Sequence, residues 1–265
     1  MFVAELTFSC RHAPTDETFE AVEGLLAVLY KNGQVVTRIW PVTSEGALLR
    51  AVVLTPAEDA LESRHHNRYV LGELARLDEQ GLAPPTVNSL GPERLSLPEC
   101  SCGDWRAGLL LYTDFLSLEP PVRCLDCFHP VALYRLPRPE SGEHLGLLGW
   151  QTDYQACDTL QMHTMTGERF GERQLGQLQS ALSRHGRGIA STLSEAMSVP
   201  VYYYLHRSRA RSLRAELSRL CPGCGAAWRL TSPLHERFDF RCERCALLSN
   251  IACSVRHRLV ETIDF

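Results

Sequence analysis

The chain has 265 residues, enough for one or two domains. Apolar residues make up 45% and charged residues 22%, near the globular average, which excludes a disordered or fibrous chain. The formal charge is −4, and no apolar run nears the roughly 18 residues that a membrane-spanning helix needs. The opening MFVAELTFSC has no basic n-region and carries Glu5 early, so it does not read as a signal peptide, and a cytoplasmic protein is expected.

Residues 2–10 read as a strand. Thr15 is placed to N-cap a helix, with Asp16 and Glu17 in a first turn that favours acids. Phe19, Val22, Leu25, Leu26 and Leu29 then fall on one helical face. Asn32-Gly33 signals a turn, followed by strand-like 34–40 and 46–54. A second helix is expected over 65–79, with Val70, Leu71, Leu74 and Leu77 inward, and a short extended piece over 85–90. That order, β-α-β-β-α-β, predicts a ferredoxin-like α+β domain over 1–98. Extended stretches at 107–112 and 131–136 flank a first cysteine module over 99–137, and 138–146 reads as a loop. The segment 138–205 is mainly helical, at about 173–184 and 188–197, and ends in Val201–Leu205. That short strand carries a tyrosine triple of which one member is expected to be exposed. A basic helix over 206–219 leads into a C-terminal ribbon, completing a last segment of 206–265.

Eight of the eleven cysteines fall in pairs. Cys221, Cys224, Cys242 and Cys245 follow the C-x2-C-x17-C-x2-C spacing of a four-thiolate zinc site. Two-residue gaps let both sulfurs of a tight knuckle reach one ion at about 2.3 Å, and two knuckles complete a tetrahedron. Pro222 and Gly223 form the turn, and Gly225 stands where knuckles call for positive φ. Cys100, Cys102, Cys124 and Cys127 make a second candidate set whose C-x-C half is a tighter chelate, with Asp104 or His129 as alternative ligands. One Zn2+ is expected, and two if both sets fill. Four cysteines leave no open coordination position, so both ions read as structural. Cys10 and Cys253 read as core residues.

Charge is unevenly spread. Residues 201–265 hold 11 arginines against 6 acids, whereas the first 200 residues hold 16 basic and 25 acidic side chains, or −9. Four thiolates on one Zn2+ reduce the C-terminal +5 to about +3. Arg207, Arg211 and Arg214 share one face of the expected helix, and Arg229, Arg237 and Arg241 would line the outer face of a three-stranded ribbon whose interior is Trp228, Phe238 and Phe240. Together they form a candidate surface for RNA or DNA backbone. The rival reading is a protein-interaction module, an adaptor or toxin-immunity protein that grips its partner with the acidic body. No membrane partner or small-molecule substrate is evident. Asp153, Cys157, Asp158 and His163 concentrate polar chemistry, but nothing in their spacing makes a nucleophile–base pair. No catalytic residue is assigned, and a non-enzymatic protein is expected.

Several blocks together resemble a family of uncharacterised bacterial proteins described as zinc-ribbon-containing and as candidate nucleic-acid binders. They are MFVAELTFSC, LSLEPPVRCLDCFHPVALYRLP, DYQACDTLQM, VPVYYYLHR and CPGCGAAWRLTSPLHERFDFRCERCALLSNIA. The resemblance covers most of the chain and implies a zinc ribbon through Cys221, Cys224, Cys242 and Cys245.

Overall fold

The computed structural model describes residues 1–260, with side chains as far as Arg256. The end of the expected C-terminal segment, 261–265, lies outside the described residues. The chain is a mixed α+β protein that divides into two units. The first comprises 1–101, 118–122 and 129–148, and the second 102–117, 123–128 and 149 onward. Neither follows the four segments drawn from the sequence, since 99–137 is divided between them.

The first unit carries β1 (Phe2–Ser9), α1 (Asp16–Lys31), β2 (Val42–Glu45), β3 (Leu48–Thr55), α2 (Arg68–Glu79) and β4 (Thr86–Pro92). The strands form one antiparallel sheet in the order β2-β3-β1-β4. The crossover from β1 through α1 therefore lands one strand away, with β3 inserted between. Period-two alternation decides which face is buried: Ala4, Leu6 and Phe8 of β1, and Leu49, Ala51 and Val53 of β3, point inward. Ala21, Val22, Leu25, Leu26 and Leu29 of α1 and Val70 and Leu77 of α2 complete that core. Thr15 stands at the N-cap of α1, its N–H donating to Thr18 Oγ1 at 2.8 Å.

Three expectations in this unit are corrected. Residues 34–40 are not a strand. Gln34 is fully buried, its amide donating to the Ala60 carbonyl at 2.7 Å, while Asn32 donates to the Gln34 side chain and to the His65 carbonyl. These bonds hold the chain in a turn, so the partner of β3 is Val42–Glu45. The second helix starts at Arg68, because the Asn67 side chain accepts from the N–H groups of Tyr69 and Val70 and sets the cap there. Leu71 is exposed on that helix, not inward.

The second unit is built on β5 (Leu109–Leu111), on β6 (Val122–Cys124) and α3 (Leu145–His163), whose first residues fall in the first unit, and on α4 (Glu168–Gly176), α5 (Ala181–Met197), β7 (Val201–Leu205), α6 (Leu213–Leu217), β8 (Arg229–Leu234), β9 (Phe238–Cys242), β10 (Leu247–Ser249) and α7 (Cys253–Val260). Its sheet runs β6-β5-β7-β10-β9-β8. β7 is parallel to both neighbours, β5 and β10, while β8, β9 and β10 form an antiparallel meander. All five residues of β7 are buried, and no member of the tyrosine triple is exposed. Tyr203 faces Trp150 of α3 and Gly186 of α5, where an added Cβ would lie 2.4 Å from the Tyr203 ring.

The C-terminal ribbon is therefore no separate module: Leu247 pairs with Tyr203 across the 205/206 boundary. The basic helix over 206–219 shrinks to α6, five residues capped by Ser212. Residues before it are claimed by tertiary hydrogen bonds. The Arg207 N–H donates to Asn250 Oδ1, and the Arg207 and Ser208 carbonyls accept from Cys253 and Ser254. Residues 131–136 are likewise not a strand but pass through a 3-10 turn at Leu133–Arg135, and the break between helices falls at 177–180.

Gly33 has φ +79°, and a Cβ there would lie 2.4 Å from Leu133 Cβ. Gly33→Ala combines left-handed strain with overpacking and should cost about 2–5 kcal/mol. The measurement is the urea midpoint, which should fall at unchanged slope; an unchanged midpoint would show that the turn is not under this constraint.

Candidate metal centres

Two sets of four thiols converge. The sulfurs of Cys221, Cys224, Cys242 and Cys245 lie within 4.8 Å of one another, as do those of Cys100, Cys102, Cys124 and Cys127. In each set two members are buried and two partly exposed. All eleven cysteines are thiols without disulfides.

Local backbone geometry explains the convergence. In the first knuckle of the C-terminal set, the Gly225 N–H donates to the Cys221 carbonyl at 2.9 Å, with Gly225 at φ +72°. The knuckle at Cys124–Cys127 repeats this, with the Phe128 N–H on the Cys124 carbonyl at 2.9 Å and Phe128 at φ +63°. After Cys245, Ala246 has φ +47°. Thus every C-x-x-C in the chain is followed by a left-handed residue, which turns the second sulfur back toward the first. Sequence reading found this only at Gly225, because only glycine advertises positive φ. The C-x-x-C spacing itself was the available signal at Phe128 and Ala246.

The C-x-C half also delivers both sulfurs, so the all-cysteine set needs neither Asp104 nor His129. Asp104 instead pairs with Arg106. Cys100 is held by its N–H, which donates to the Pro130 carbonyl at 2.8 Å.

The donor chemistry fits a tetrahedral dication. Four sulfurs at about 2.3 Å from a common centre are about 3.8 Å apart, and Cys224 Sγ lies 3.6 Å from Cys242 Sγ. Gly223 admits the opposite knuckle, since a Cβ there would lie 2.7 Å from Cys245 Sγ. The thiols do not ionise alike. The Ala226 N–H lowers Cys224 to about 7, whereas burial and then the neighbouring sulfurs push Cys245 up to about 12. A bound dication would remove that mutual penalty by neutralising the thiolates together.

The candidate nucleic-acid arginines divide. Arg207 lies 3.4 Å from Glu216, and Arg241 pairs with Glu243 while its guanidinium sits 4.7 Å over the Tyr202 ring. Arg237 lies 5.5 Å over Phe128 and donates to the Tyr112 hydroxyl. So Arg237 and Arg241 engage aromatic side chains of the sheet and do not form a free outer face. With 206–211 non-helical, Arg207, Arg211 and Arg214 share no helical face either. Arg211, Arg214 and Arg229 are exposed and have no acidic partner among the described residues. Trp228, Phe238 and Phe240 are core, each no more than 3% exposed.

Asp153 and Cys157 border one cavity, and no hydrogen bond among Asp153, Cys157, Asp158 and His163 is present among the described residues. Cys157 is buried, and burial raises its pKa, while Asp153 and His163 are exposed. Asp158 is buried and accepts from the Phe115 N–H at 2.9 Å.

Arg219, which the sequence did not single out, carries a structural load. Its guanidinium lies 4.3 Å over Phe240 and 4.7 Å over Trp228, and it is 3.1 Å from Glu216, a carboxylate 1% exposed. Arg219→Met leaves that carboxylate with Arg207 alone and should destabilise the protein by about 3 kcal/mol. Denaturant unfolding checks this, and adding Glu216→Gln should recover part of the loss.

Three family models match the chain, each described as a domain of unknown function: DUF8589 over residues 1–91, DUF2310 over 105–206 and DUF8594 over 210–255. An uncharacterized protein of Haemophilus influenzae is 31% identical over 229 residues, covering 83% of this chain and 86% of the relative. A second uncharacterized protein of that organism is 37% identical over 143 residues, covering 54% of this chain and 70% of the relative. Among solved structures, a Deinococcus radiodurans protein described as a candidate antibiotic biosynthesis monooxygenase is 11% identical, covering 37% of this chain and 98% of that one, with a TM-score of 0.27. Rv0793 from Mycobacterium tuberculosis is 19% identical, covering 36% of this chain and all of that one, with a TM-score of 0.26. Scores this low carry no argument about this chain. Neither the family descriptions nor the relatives' names indicate an enzyme class. No helix among the described residues is long and apolar enough to cross a membrane. Four-thiol centres, three successive family domains and 31% identity across most of both chains lead to one conclusion: the protein belongs to the family of these uncharacterised bacterial proteins.

Proposed function

We propose that both four-cysteine sets hold Zn2+ as structural ions, and that the protein acts by binding RNA or DNA backbone without strong sequence choice. The zinc reading rests on all-thiolate donor sets at tetrahedral spacing, with no position left for substrate. Reduced thiols suit a cytoplasmic location, which is part of this reading. The nucleic-acid reading rests on one observation: Arg211, Arg214 and Arg229 are exposed and free of acidic partners, whereas the acids Glu216, Asp239 and Glu243 of this region are each paired with other arginines. The N-terminal unit is read as a ferredoxin-like scaffold, supported by its antiparallel β2-β3-β1-β4 order. The rival reading, a protein-interaction module, draws on the −9 charge of residues 1–200.

Elemental analysis of the purified protein should find two zinc ions per chain, falling to one in Cys221→Ser/Cys224→Ser and to one in Cys100→Ser/Cys102→Ser. Zinc-loaded protein titrated against labelled single-stranded RNA, single-stranded DNA and duplex DNA should bind with an affinity that falls steeply with salt. Replacing Arg211, Arg214 and Arg229 by Ala should reduce the log–log salt slope by about 2–3. Salt-insensitive binding, or none at low salt, would transfer support to a protein partner.

A further inference from the structure

Inside the second unit, the carboxyl ends of three parallel strands, β5, β7 and β10, open onto one cavity of about 730 Å³. That volume lies within the range of small-molecule sites. The carboxyl edge of parallel strands is also where open α/β sheets place their ligands. Nothing in the sequence pattern marks this cavity, because its lining is gathered from six separate stretches of chain.

One wall is aromatic. The rings of Tyr112, Tyr204 and Phe238 lie 5.3–5.9 Å apart, centroid to centroid. Most polar groups around them are already satisfied. The Tyr204 hydroxyl donates to Asn250 Oδ1 at 3.0 Å and lies 3.1 Å from His206 Nδ1. The Asn250 amide donates to the carbonyls of Arg207 and Ile251. Both arginines at the rim are engaged: Arg237 donates to the Tyr112 hydroxyl, and Arg256 to Asp239 and the Glu236 carbonyl. Even the first N–H groups of α7 donate to the carbonyls of Arg207 and Ser208. The site therefore offers no ready donor set for an anion.

Three groups remain. With the Tyr204 hydroxyl donating to Asn250 Oδ1, His206 Nδ1 donates to that hydroxyl, which leaves His206 Nε2, buried and without a partner among the described residues, as an acceptor. Asp158 is 8% exposed; its Oδ2 accepts one backbone N–H, from Phe115, and no cation lies within salt-bridge distance among the described residues. Tyr154 is 2% exposed, and its hydroxyl makes no hydrogen bond among the described residues. Tyr154 and Asp158 stand four residues apart on α3 and so share one helical face, and both line the cavity. Burial holds the Asp158 carboxyl up to about 6, as befits a carboxylate without a counter-ion. A desolvated carboxylate beside π faces is complementary to a cation that brings its own N–H donors.

We propose that this cavity binds a small organic cation, an ammonium or guanidinium on an apolar stem. The Asp158 carboxylate is its counter-ion, the Tyr154 hydroxyl a second acceptor, and the Tyr112–Tyr204–Phe238 wall packs against the stem. This site is independent of the nucleic-acid reading.

The experiment is calorimetric titration of the full-length, metal-loaded chain with benzylamine and phenylguanidine, beside benzyl alcohol and benzoate as neutral and anionic controls of similar shape. At least one cation should bind saturably, at least about tenfold more tightly than either control. Asp158→Asn keeps an oxygen for the Phe115 N–H and should weaken that cation by at least about tenfold. Tyr154→Phe should weaken it by about threefold. Equal binding of cations and controls, or no saturable binding of either cation up to about 10 mM, overturns the proposal. So does undiminished affinity in a folded Asp158→Asn protein. The comparison of cations with controls uses the unaltered chain and remains decisive if the Asp158 variant fails to fold.

Discussion

The second unit depends on β7, a strand with no solvent face. Parallel pairing on both edges satisfies its backbone, and its side chains must be covered above and below. Tyr203 takes one side and requires α3 and α5 over it, with Gly186 making room. Tyr202 and Tyr204 take the other, where Arg241 stacks on the first, and Tyr112 and Phe238 meet the second. Because β10 lies beside β7, the meander carrying Cys242 and Cys245 is part of the sheet and not a free-standing ribbon. The candidate metal site therefore sits on the sheet, and the carboxyl edge of the same three parallel strands frames the cavity.

The arginines follow from the same packing. A small sheet with aromatic faces uses guanidinium groups as flat covers, since Arg stacks on rings while keeping hydrogen bonds at its edge. Arg219 over Trp228 and Phe240, Arg237 over Phe128 and Arg241 over Tyr202 are three instances. Glu216 is drawn in with Arg219, and Asp239 is buried against Arg256. The net positive charge of this region is thus a poor guide to how much of it faces outward.

The legible parts of the structure were those governed by local rules. Alternation in β1 and β3, helical periodicity in α1 and the N-cap at Thr15 depend on neighbours within a few residues. The misread parts were those where a distant group outcompeted local preference. Residues 34–40 are rich in β-branched side chains, yet the buried amides of Asn32 and Gln34 bind carbonyls about thirty residues away and hold a turn. Residues 206–211 suit a basic helix, yet their backbone is taken up by Asn250 and the start of α7.

By itself the sequence marked the two candidate four-cysteine sets, because three of their four pairs are C-x-x-C knuckles that close within five residues, while bringing two pairs together is left to the fold. It also marked β1, α1, β3, α2 and β4 of the first unit, since alternation and helical period are written into those elements, but not β2. Only the tertiary structure decided which arginines are free, that the C-terminal ribbon joins β7, and that Tyr154 and Asp158 face a cavity. Each of those depends on which residues far apart in the chain come to lie side by side, and burial, pairing and desolvation are properties of that neighbourhood and not of the residue alone.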